Sequence, residues 1–90
     1  MYSAIYTGQF KRDVKRAKKR GKDLDKLREI LTLLLDGSHL PSKYGDHPLK
    51  GEWKPSRDLH IESDWLLIYC VVGDAVRFER TGSHADLFKK

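Results

Sequence analysis

The residue types that transfer protons at neutral pH are concentrated in one part of the sequence, residues 46–64. This segment contains His47, Asp58, His60 and Asp64, and it runs directly into a hydrophobic strand. A strand needs its apolar residues, but it has no evident need for these imidazoles and carboxylates. Closely spaced histidines and carboxylates are the side chains that general acid–base catalysis uses. The segment therefore predicts a site of proton transfer.

Three other chemistries are disfavoured by the spacing of the same residue types. A zinc site needs three or four ligands within tetrahedral reach, and no two of the histidines are spaced as HxH or HxxxH. The single cysteine, Cys70, lies in the middle of an apolar run, where a buried and unreactive thiol is expected. Neither a GxxxxGK[ST] nor a GxGxxG pattern occurs, so a nucleotide-binding loop is not supported. We expect neither a metal nor a cofactor.

RNA cleavage without a metal is the chemistry that these residues could supply. It needs a base to take the proton of a ribose 2′-OH, an acid to protonate the leaving 5′-oxygen, and a cation for the phosphorane charge. Histidines, aspartates and an arginine are sufficient, and the chain has all three together with a basic segment.

The positive charge of the chain is confined to that basic segment. Residues 11–22 contain eight basic residues and one acidic residue, so they carry +7, whereas the whole chain carries +5. Such a block attracts phosphate backbones or an acidic protein partner. The alternative is that the basic residues only cover an ordinary solvent-exposed helix face.

Length and composition indicate one small domain, residues 1–90. The single cysteine excludes an internal disulfide, and neither a signal peptide nor an apolar run of about 20 residues is present. We therefore expect a cytoplasmic protein that does not interact with a membrane.

The elements that must position these residues follow an order of β-α-α-β-β-β. Strands are predicted over Tyr2–Tyr6, Arg57–Glu62, Trp65–Val72 and Ala75–Arg80. Thr7 and Asp23 can each cap a helix, and Gly21 and Gly37 end those helices. Ser83 caps a short tail helix. This is an α+β fold, an antiparallel sheet with an N-terminal helical hairpin on one face and a short C-terminal helix.

Alternation along the strand Arg57–Glu62 predicts which side chains share a face. Leu59 and Ile61 should face the helices, and Asp58, His60 and Glu62 the open side of the sheet. Strict alternation would place Arg80 on the apolar face, unless the last strand bulges near Glu79 or ends before Arg80. The preceding loop, 36–54, is long but rich in aromatic residues and leucine, so we expect it to be ordered.

Three motifs in this framework carry a specific resemblance. They are D-H-x-L-x-G-x-W from residue 46, R-D-x-H-x-x-x-D-W from residue 57, and R-x-G-x-H from residue 80. Together with the order of elements, they make the chain resemble the YafQ branch of the RelE/ParE toxin superfamily. The resemblance implies a bacterial type II toxin, an mRNA interferase that cuts mRNA in the ribosomal A site without a metal and leaves a 2′,3′-cyclic phosphate. It also implies a cognate antitoxin with a DNA-binding domain and a segment that wraps the toxin.

The resemblance implies a role for each residue that matches the family's motifs. The residues at the family's catalytic positions are His47, Asp58, His60, Asp64, Arg80 and His84. Trp65 and Phe88 match its RNA-contacting aromatic positions, with a packing anchor as the alternative role for Trp65. Chemistry favours His84 as the acid and Arg80 as the phosphate-binding cation. Either Asp64 or His60 could be the base, with Asp58 as an orienting group, and the sequence leaves this choice open.

The basic helix would then bind ribosomal RNA, in a salt-dependent manner. Its candidate residues are Lys11, Arg12, Lys15, Arg16, Lys18, Lys19 and Arg20. The expected partners are the 70S ribosome, mRNA and the antitoxin. Two alternatives remain: a non-enzymatic poison of DNA gyrase with the same fold, as in the ParE branch, and a non-catalytic module that binds RNA or the ribosome.

Overall fold

Ten short elements make up the fold in a computed structural model that describes residues 1–88. The sheet and helices are β1 (Ser3–Tyr6), α1 (Gly8–Lys19), α2 (Leu24–Leu35), β2 (His47–Pro48), β3 (Arg57–Glu62), β4 (Trp65–Val72), β5 (Ala75–Gly82) and α3 (His84–Leu87). Two 3₁₀ turns, Ser42–Tyr44 and Gly51–Trp53, flank β2. The long loop is therefore ordered, as its composition predicts, and it adds a two-residue strand that the sequence did not indicate.

The helices begin and end where the sequence places capping residues. The side chains of Thr7 and Asp23 each accept a hydrogen bond from a backbone N–H of the following helix, at 2.9 and 3.0 Å. Beyond the helix ends, Gly21 and Gly37 adopt positive φ angles of 80° and 71°, which glycine tolerates best. Both helices have 12 residues, and no helix among the described residues is long and apolar enough to cross a membrane.

The five strands are ordered β1-β5-β4-β3-β2. Three of the four neighbouring pairs are antiparallel, as predicted, but β1 pairs with β5 in parallel. Residue periodicity could not reveal this pairing, because it reports which face a side chain occupies and not which strand lies alongside. The α+β architecture itself is confirmed.

The main core lies between the helical hairpin and one face of the sheet. Leu59 and Ile61 face the helices, as alternation predicts, and both are buried. The other large members of this core are Phe10, Leu27, Ile30, Trp65, Leu67, Tyr69, Val76 and Phe78. Burying a side chain of this size contributes about 1.5–3 kcal/mol, so the hairpin is held firmly against the sheet.

A second, smaller core lies on the opposite face. Leu66 and Ile68 of β4 are fully buried there beneath Leu87 of α3. The loop adds Leu49 and Trp53 from the other side. This cluster therefore fixes two separate segments, the loop with His47 and the tail with His84, over the same sheet face.

Irregularities in two strands determine how polar side chains are distributed between the faces. In β5, Ile68 pairs with Arg80 and Tyr69 pairs with Phe78, so Glu79 is an extra residue, a β-bulge. The strand also continues to Gly82, beyond the predicted end at Arg80, because the residues after the bulge still pair with β4. The bulge moves Arg80 to the face opposite the main core.

A second register shift, between His60 and Glu62 in β3, changes a predicted orientation. Glu62 was expected on the open face with His60, but it lies opposite Trp65 and bonds to Lys22 and Lys26 at 3.2 and 2.9 Å. These lysines belong to the helical hairpin. The prediction for Glu62 was wrong because strict alternation fails at a bulge.

Candidate active site

One row of paired residues crosses the sheet beneath the smaller core. The register aligns His47 with Asp58, Asp58 with Ile68, and Ile68 with Arg80. Residues paired directly across antiparallel strands share a face. The structure therefore places three of the candidate catalytic residues in a single line. The next row contains His60 opposite Leu66.

His84 is the first residue of α3 and is held by Asp64. Its ring atom Nδ1 lies 2.6 Å from Oδ1 of Asp64, and its backbone N–H donates to the same oxygen at 2.8 Å. These two hydrogen bonds lower the pKa of the Asp64 carboxyl, because they stabilise its charged form. The ionised carboxylate accepts only, so Nδ1 carries the hydrogen and Nε2 is the nitrogen left for proton exchange.

His60 lies against His84. The two ring centroids are 5.6 Å apart, and the planes are inclined at 60°. A cavity of about 550 Å³ opens beside His60, between α2 and the 3₁₀ turn that ends at Tyr44. Two imidazoles in contact can act as the acid and the base of one reaction.

His47 and Asp58 form a second pair with a different environment. Nδ1 of His47 lies 2.9 Å from the carbonyl oxygen of Gly45, which can only accept, so this nitrogen carries a hydrogen. Nε2 lies 3.0 Å from Oδ1 of Asp58. Despite this short distance, the buried oxygen accepts no hydrogen bond from any group within residues 1–88. The contact between His47 and Asp58 is therefore one of electrostatic proximity.

Burial raises the pKa of the Asp58 carboxyl, and attraction to the nearby histidines offsets this only in part. The side chain is 6% exposed, whereas that of Asp64 is 64% exposed. A buried carboxyl with a perturbed pKa is a feature of functional sites. The loop residue Asp46 anchors this end of the site, since it accepts hydrogen bonds from Arg57 and from the hydroxyl of Tyr69, the latter at 2.5 Å.

Arg80 is fixed by a residue that the sequence analysis missed, Asp13 of α1. Nε and Nη2 of Arg80 donate to the two oxygens of Asp13 at 2.7 and 3.3 Å, and the backbone N–H of Thr81 donates to the same carboxylate at 3.1 Å. Asp13 is 1% exposed. A signal was present, because Asp13 lies on the apolar stripe of α1 between Phe10 and Ala17, where a charge is expected only if it is paired.

The basic residues of α1 fall into two groups. Arg16 and Arg20 are engaged with Asp86 of α3, at 3.6 and 2.6 Å, although the side chain of Arg20 is 48% exposed. Their contact with RNA stays a prediction. Asp86 was also missed, although its position three residues after Ser83 is that of a capping box, and both bonds of the box are present. The other predicted basic residues are exposed: Lys11, Arg12, Lys15, Lys18 and Lys19.

The two candidate RNA-contacting aromatics lie in different environments. Trp65 is 1% exposed in the main core, and its indole N–H donates to the hydroxyl of Thr81 at 3.0 Å. Its ring is therefore covered and cannot stack on a base, contrary to the prediction. Phe88 is half-buried beside the site, with its ring centroid 5.5 Å from that of Trp53.

No three His, Cys, Asp or Glu side chains within residues 1–88 are grouped so that they could hold a metal ion. The polar residues act instead as pairs, His84 with Asp64 and His47 with Asp58. The arrangement thus brings three imidazoles, two carboxylates and one arginine together. This set has the components that proton transfer at a phosphodiester requires.

Comparison with known proteins identifies the family. A family model described as bacterial toxin of type II toxin–antitoxin system, YafQ, matches residues 2–89. The mRNA interferase toxin YafQ of Escherichia coli (strain K12) is 54% identical over 84 residues, which are 92% of this chain and 91% of the relative. The putative toxin YafQ of Haemophilus influenzae is 38% identical over 87 residues, which are 89% and 85% of the two chains.

Solved structures agree with the sequence matches. A chain in the crystal structure of the E. coli DinJ–YafQ complex is 50% identical with a TM-score of 0.91, and the match covers 98% of this chain and 99% of that one. A metal-bound toxin from Helicobacter pylori is 36% identical with a TM-score of 0.91, covering 98% and 100%. These findings confirm the resemblance inferred from the motifs. The chain belongs to the YafQ family of bacterial toxins from type II toxin–antitoxin systems.

Proposed function

We propose that this toxin is a ribosome-dependent endoribonuclease that cleaves mRNA in the A site without a metal. Its enzyme class is that of its curated relatives, which are named mRNA interferases. The observation that carries the mechanism is the contact between the imidazoles of His60 and His84, of which His60 lines the cavity. The ribose 2′-OH attacks the adjacent phosphorus, the bond to the 5′-oxygen breaks, and the products are a 2′,3′-cyclic phosphate and a 5′-hydroxyl.

His84 is the general acid in this proposal, and His60 is the general base. Asp64 holds the Nδ1–H of His84, so Nε2 is oriented to give a proton to the leaving oxygen. The lowered pKa of Asp64 argues against the alternative in which Asp64 is the base, because a more acidic carboxyl is a weaker base. His60 then takes the proton of the 2′-OH.

Arg80 supplies positive charge for the phosphorane. Asp13 occupies its Nε and Nη2, and Nη1 has no hydrogen-bond partner among residues 1–88. A guanidinium held rigidly by a carboxylate loses little entropy when it binds a phosphate oxygen. His47 and Asp58 lie in the same row of paired residues as Arg80 and support the other end of the site.

The ribosome and mRNA are the proposed macromolecular partners. The exposed lysines at positions 11, 15, 18 and 19 belong to α1, the helix whose Asp13 binds Arg80. Ribosomal RNA is a polyanion, so binding through these lysines should weaken steeply with salt. Phe88, half-buried beside His84, is the proposed stacking surface for an mRNA base.

A cognate antitoxin is the proposed regulator. The solved E. coli relatives include complexes of YafQ with DinJ. We propose that the antitoxin of this chain has a DNA-binding N-terminal domain and a C-terminal segment that folds on the toxin. Acidic residues in that segment would neutralise the lysines of α1.

Primer extension on a reporter mRNA tests the proposed function. A reconstituted translation reaction is run with wild type, His84→Gln and no protein, each with and without ribosomes and each with a chelator. The expected result is discrete cuts at A-site codons that require both ribosomes and His84. Intact mRNA from a protein that still stops growth would overturn the proposal in favour of a gyrase poison or a non-catalytic binding module.

A further inference from the structure

The helix that carries His84 cannot be stable without support from the rest of the fold. It has four residues, His84–Leu87, whereas isolated helices shorter than about 12–15 residues are marginal in water. Leu87 anchors one side in the smaller core. The other side is anchored by Asp86, which points away from the site and towards α1.

Asp86 is held by two arginines of the basic helix. Nη1 of Arg20 donates to Oδ2 at 2.6 Å and Nη2 donates to Oδ1 at 3.3 Å, so this contact is bidentate. Nη2 of Arg16 lies 3.6 Å from Oδ2. These cations, together with the N–H of Ser83, lower the pKa of Asp86 well below its usual range, so the carboxylate stays charged at neutral pH.

Gly82 supplies the space that this contact needs. A Cβ atom at residue 82 would lie 2.9 Å from Oδ2 of Asp86 and 3.0 Å from Nη2 of Arg16. Both distances are shorter than normal contacts between a methyl group and a polar atom. A side chain here would therefore push the arginine and the carboxylate apart.

Arg16 also connects, through Asp13, to Arg80 at the other end of the site. Nη2 of Arg16 donates to Oδ1 of Asp13 at 3.1 Å, and Asp13 binds Arg80. A continuous chain of charges thus runs from Arg80 through α1 to the helix of His84. The helix α1 acts as a common support for the phosphate-binding cation and the general acid.

We propose that Arg16 and Arg20 are positioning residues that hold His84 through Asp86, and that they do not act by contacting RNA. This inference rests on the proposed function, because it assigns part of the basic helix to the geometry of that reaction. It divides the basic segment into lysines that bind the ribosome and two arginines that align the acid through Asp86.

The substitution Asp86→Asn separates the two possible roles of the arginines by its effect on the cleavage rate. It removes the charge that holds them, and it makes the surface more positive. Positioning predicts that single-turnover cleavage on ribosomes slows by about tenfold to 10²-fold, the cost of a misplaced catalytic group, while ribosome affinity is unchanged or tighter. If the arginines bind RNA, affinity rises and the cleavage rate stays at the wild-type value, which would overturn the inference.

Two further variants complete the experiment. Arg20→Lys keeps the charge but loses the bidentate contact, so it should slow cleavage with no change in affinity. Lys19→Ala, the matched control on the exposed side of the helix, should weaken binding with no change in the saturating rate. Thermal unfolding of each variant excludes global misfolding as the cause.

An NMR titration of His84 keeps this inference separate from the proposed function. The ring signals of His84 should shift in Asp86→Asn and in Arg20→Lys but not in Lys19→Ala. If wild type cleaves no mRNA, the proposed function fails, yet these signals still report whether Asp86 positions His84. Unchanged His84 signals in both Asp86→Asn and Arg20→Lys would contradict the positioning role.

Discussion

The site contains two histidine–aspartate pairs that differ in the burial of the carboxylate. Asp64 is 64% exposed and accepts two hydrogen bonds from His84, and its pKa is lowered. Asp58 is 6% exposed and faces His47, and its pKa is raised by burial. The pairs use the same residue types at similar distances, yet the pKa values of the two carboxyls shift in opposite directions.

The difference teaches that composition alone does not determine the role of such a pair. An exposed, ionised carboxylate fixes the tautomer of its histidine and leaves the other ring nitrogen available. The buried carboxyl of Asp58 lies 3.0 Å from Nε2 of His47, and Nδ1 of His47 lies against the carbonyl oxygen of Gly45, so each ring nitrogen faces a protein group. We therefore assign proton transfer to the His84 side and support of the site to the His47 side.

The largest effect is expected from removing the available imidazole. His84→Gln should slow mRNA cleavage by about 10²–10⁴-fold, the usual contribution of a general acid. Stability should change little, because the side chain is 54% exposed. Single-turnover cleavage on ribosomes measures the rate.

The matched control is His39→Gln, the same substitution at an exposed histidine in the loop before β2. It should cleave at the wild-type rate. Equal losses in both variants would mean that the substitution acts through the fold, and the assignment of His84 would be wrong.

A smaller effect is expected from weakening the support of His84. Asp64→Asn should slow cleavage by up to about 10²-fold, because a neutral amide holds the Nδ1–H less firmly than a carboxylate. Binding to ribosomes should be unchanged. Asp74→Asn in the β4–β5 turn is the control, and a rate equal to wild type in Asp64→Asn would remove Asp64 from the mechanism.

The pH dependence of stability should have opposite signs for the two carboxyls. A lowered folded pKa stabilises the fold above the unfolded value of about 3.9, and this stabilisation is lost as the pH falls. A raised folded pKa gives a contribution that is fully present below that value and is lost as the pH rises through the folded pKa. Asp64→Asn should therefore lower the free energy of unfolding more near neutral pH than at acidic pH. Asp58→Asn should lower it less near neutral pH than at acidic pH.

Urea unfolding of wild type and both variants, at about pH 3 and about pH 7, measures this difference. The change in unfolding free energy caused by each substitution is compared between the two pH values. Changes of the same sign for both substitutions would contradict the distinction between the pairs.

The smallest effect on activity is expected at a residue of the opposite sheet face. Trp65→Phe removes the hydrogen bond to Thr81 within the main core, at a cost of about 1 kcal/mol. Ribosome binding and cleavage should be unchanged, because the ring is buried. Equilibrium unfolding and filter binding test this. A loss of RNA affinity in a stable variant would mean that Trp65 does contact RNA.

Much of the fold was predictable because local signals determine it. Thr7, Asp23 and Ser83 cap helices as expected, and alternation places Leu59 in the core. The parallel pairing of β1 with β5 was not predictable, since it depends on long-range packing. The orientation of Glu62 failed for a related reason, because a bulge interrupts the period of two.

The site was predicted less completely than the fold. Motifs and chemistry selected His60, His84 and Asp58, and the structure brings them to one face. The sequence analysis missed Asp13 and Asp86, because each acts on another side chain across a distance of more than 60 residues in the chain. Periodicity could reveal that Asp13 is buried, but no local pattern names its partner.

The most direct test of the central claim uses an mRNA in which sulfur replaces the leaving 5′-oxygen at the cleavage site. A thiolate leaves readily without a proton, so this substrate does not need a general acid. The account predicts that His84→Gln cleaves the sulfur substrate on ribosomes at close to the wild-type rate, while His60→Gln remains slow. If His84→Gln is as defective on the sulfur substrate as on normal mRNA, His84 is not the acid and the exposed pair does not have the role assigned to it.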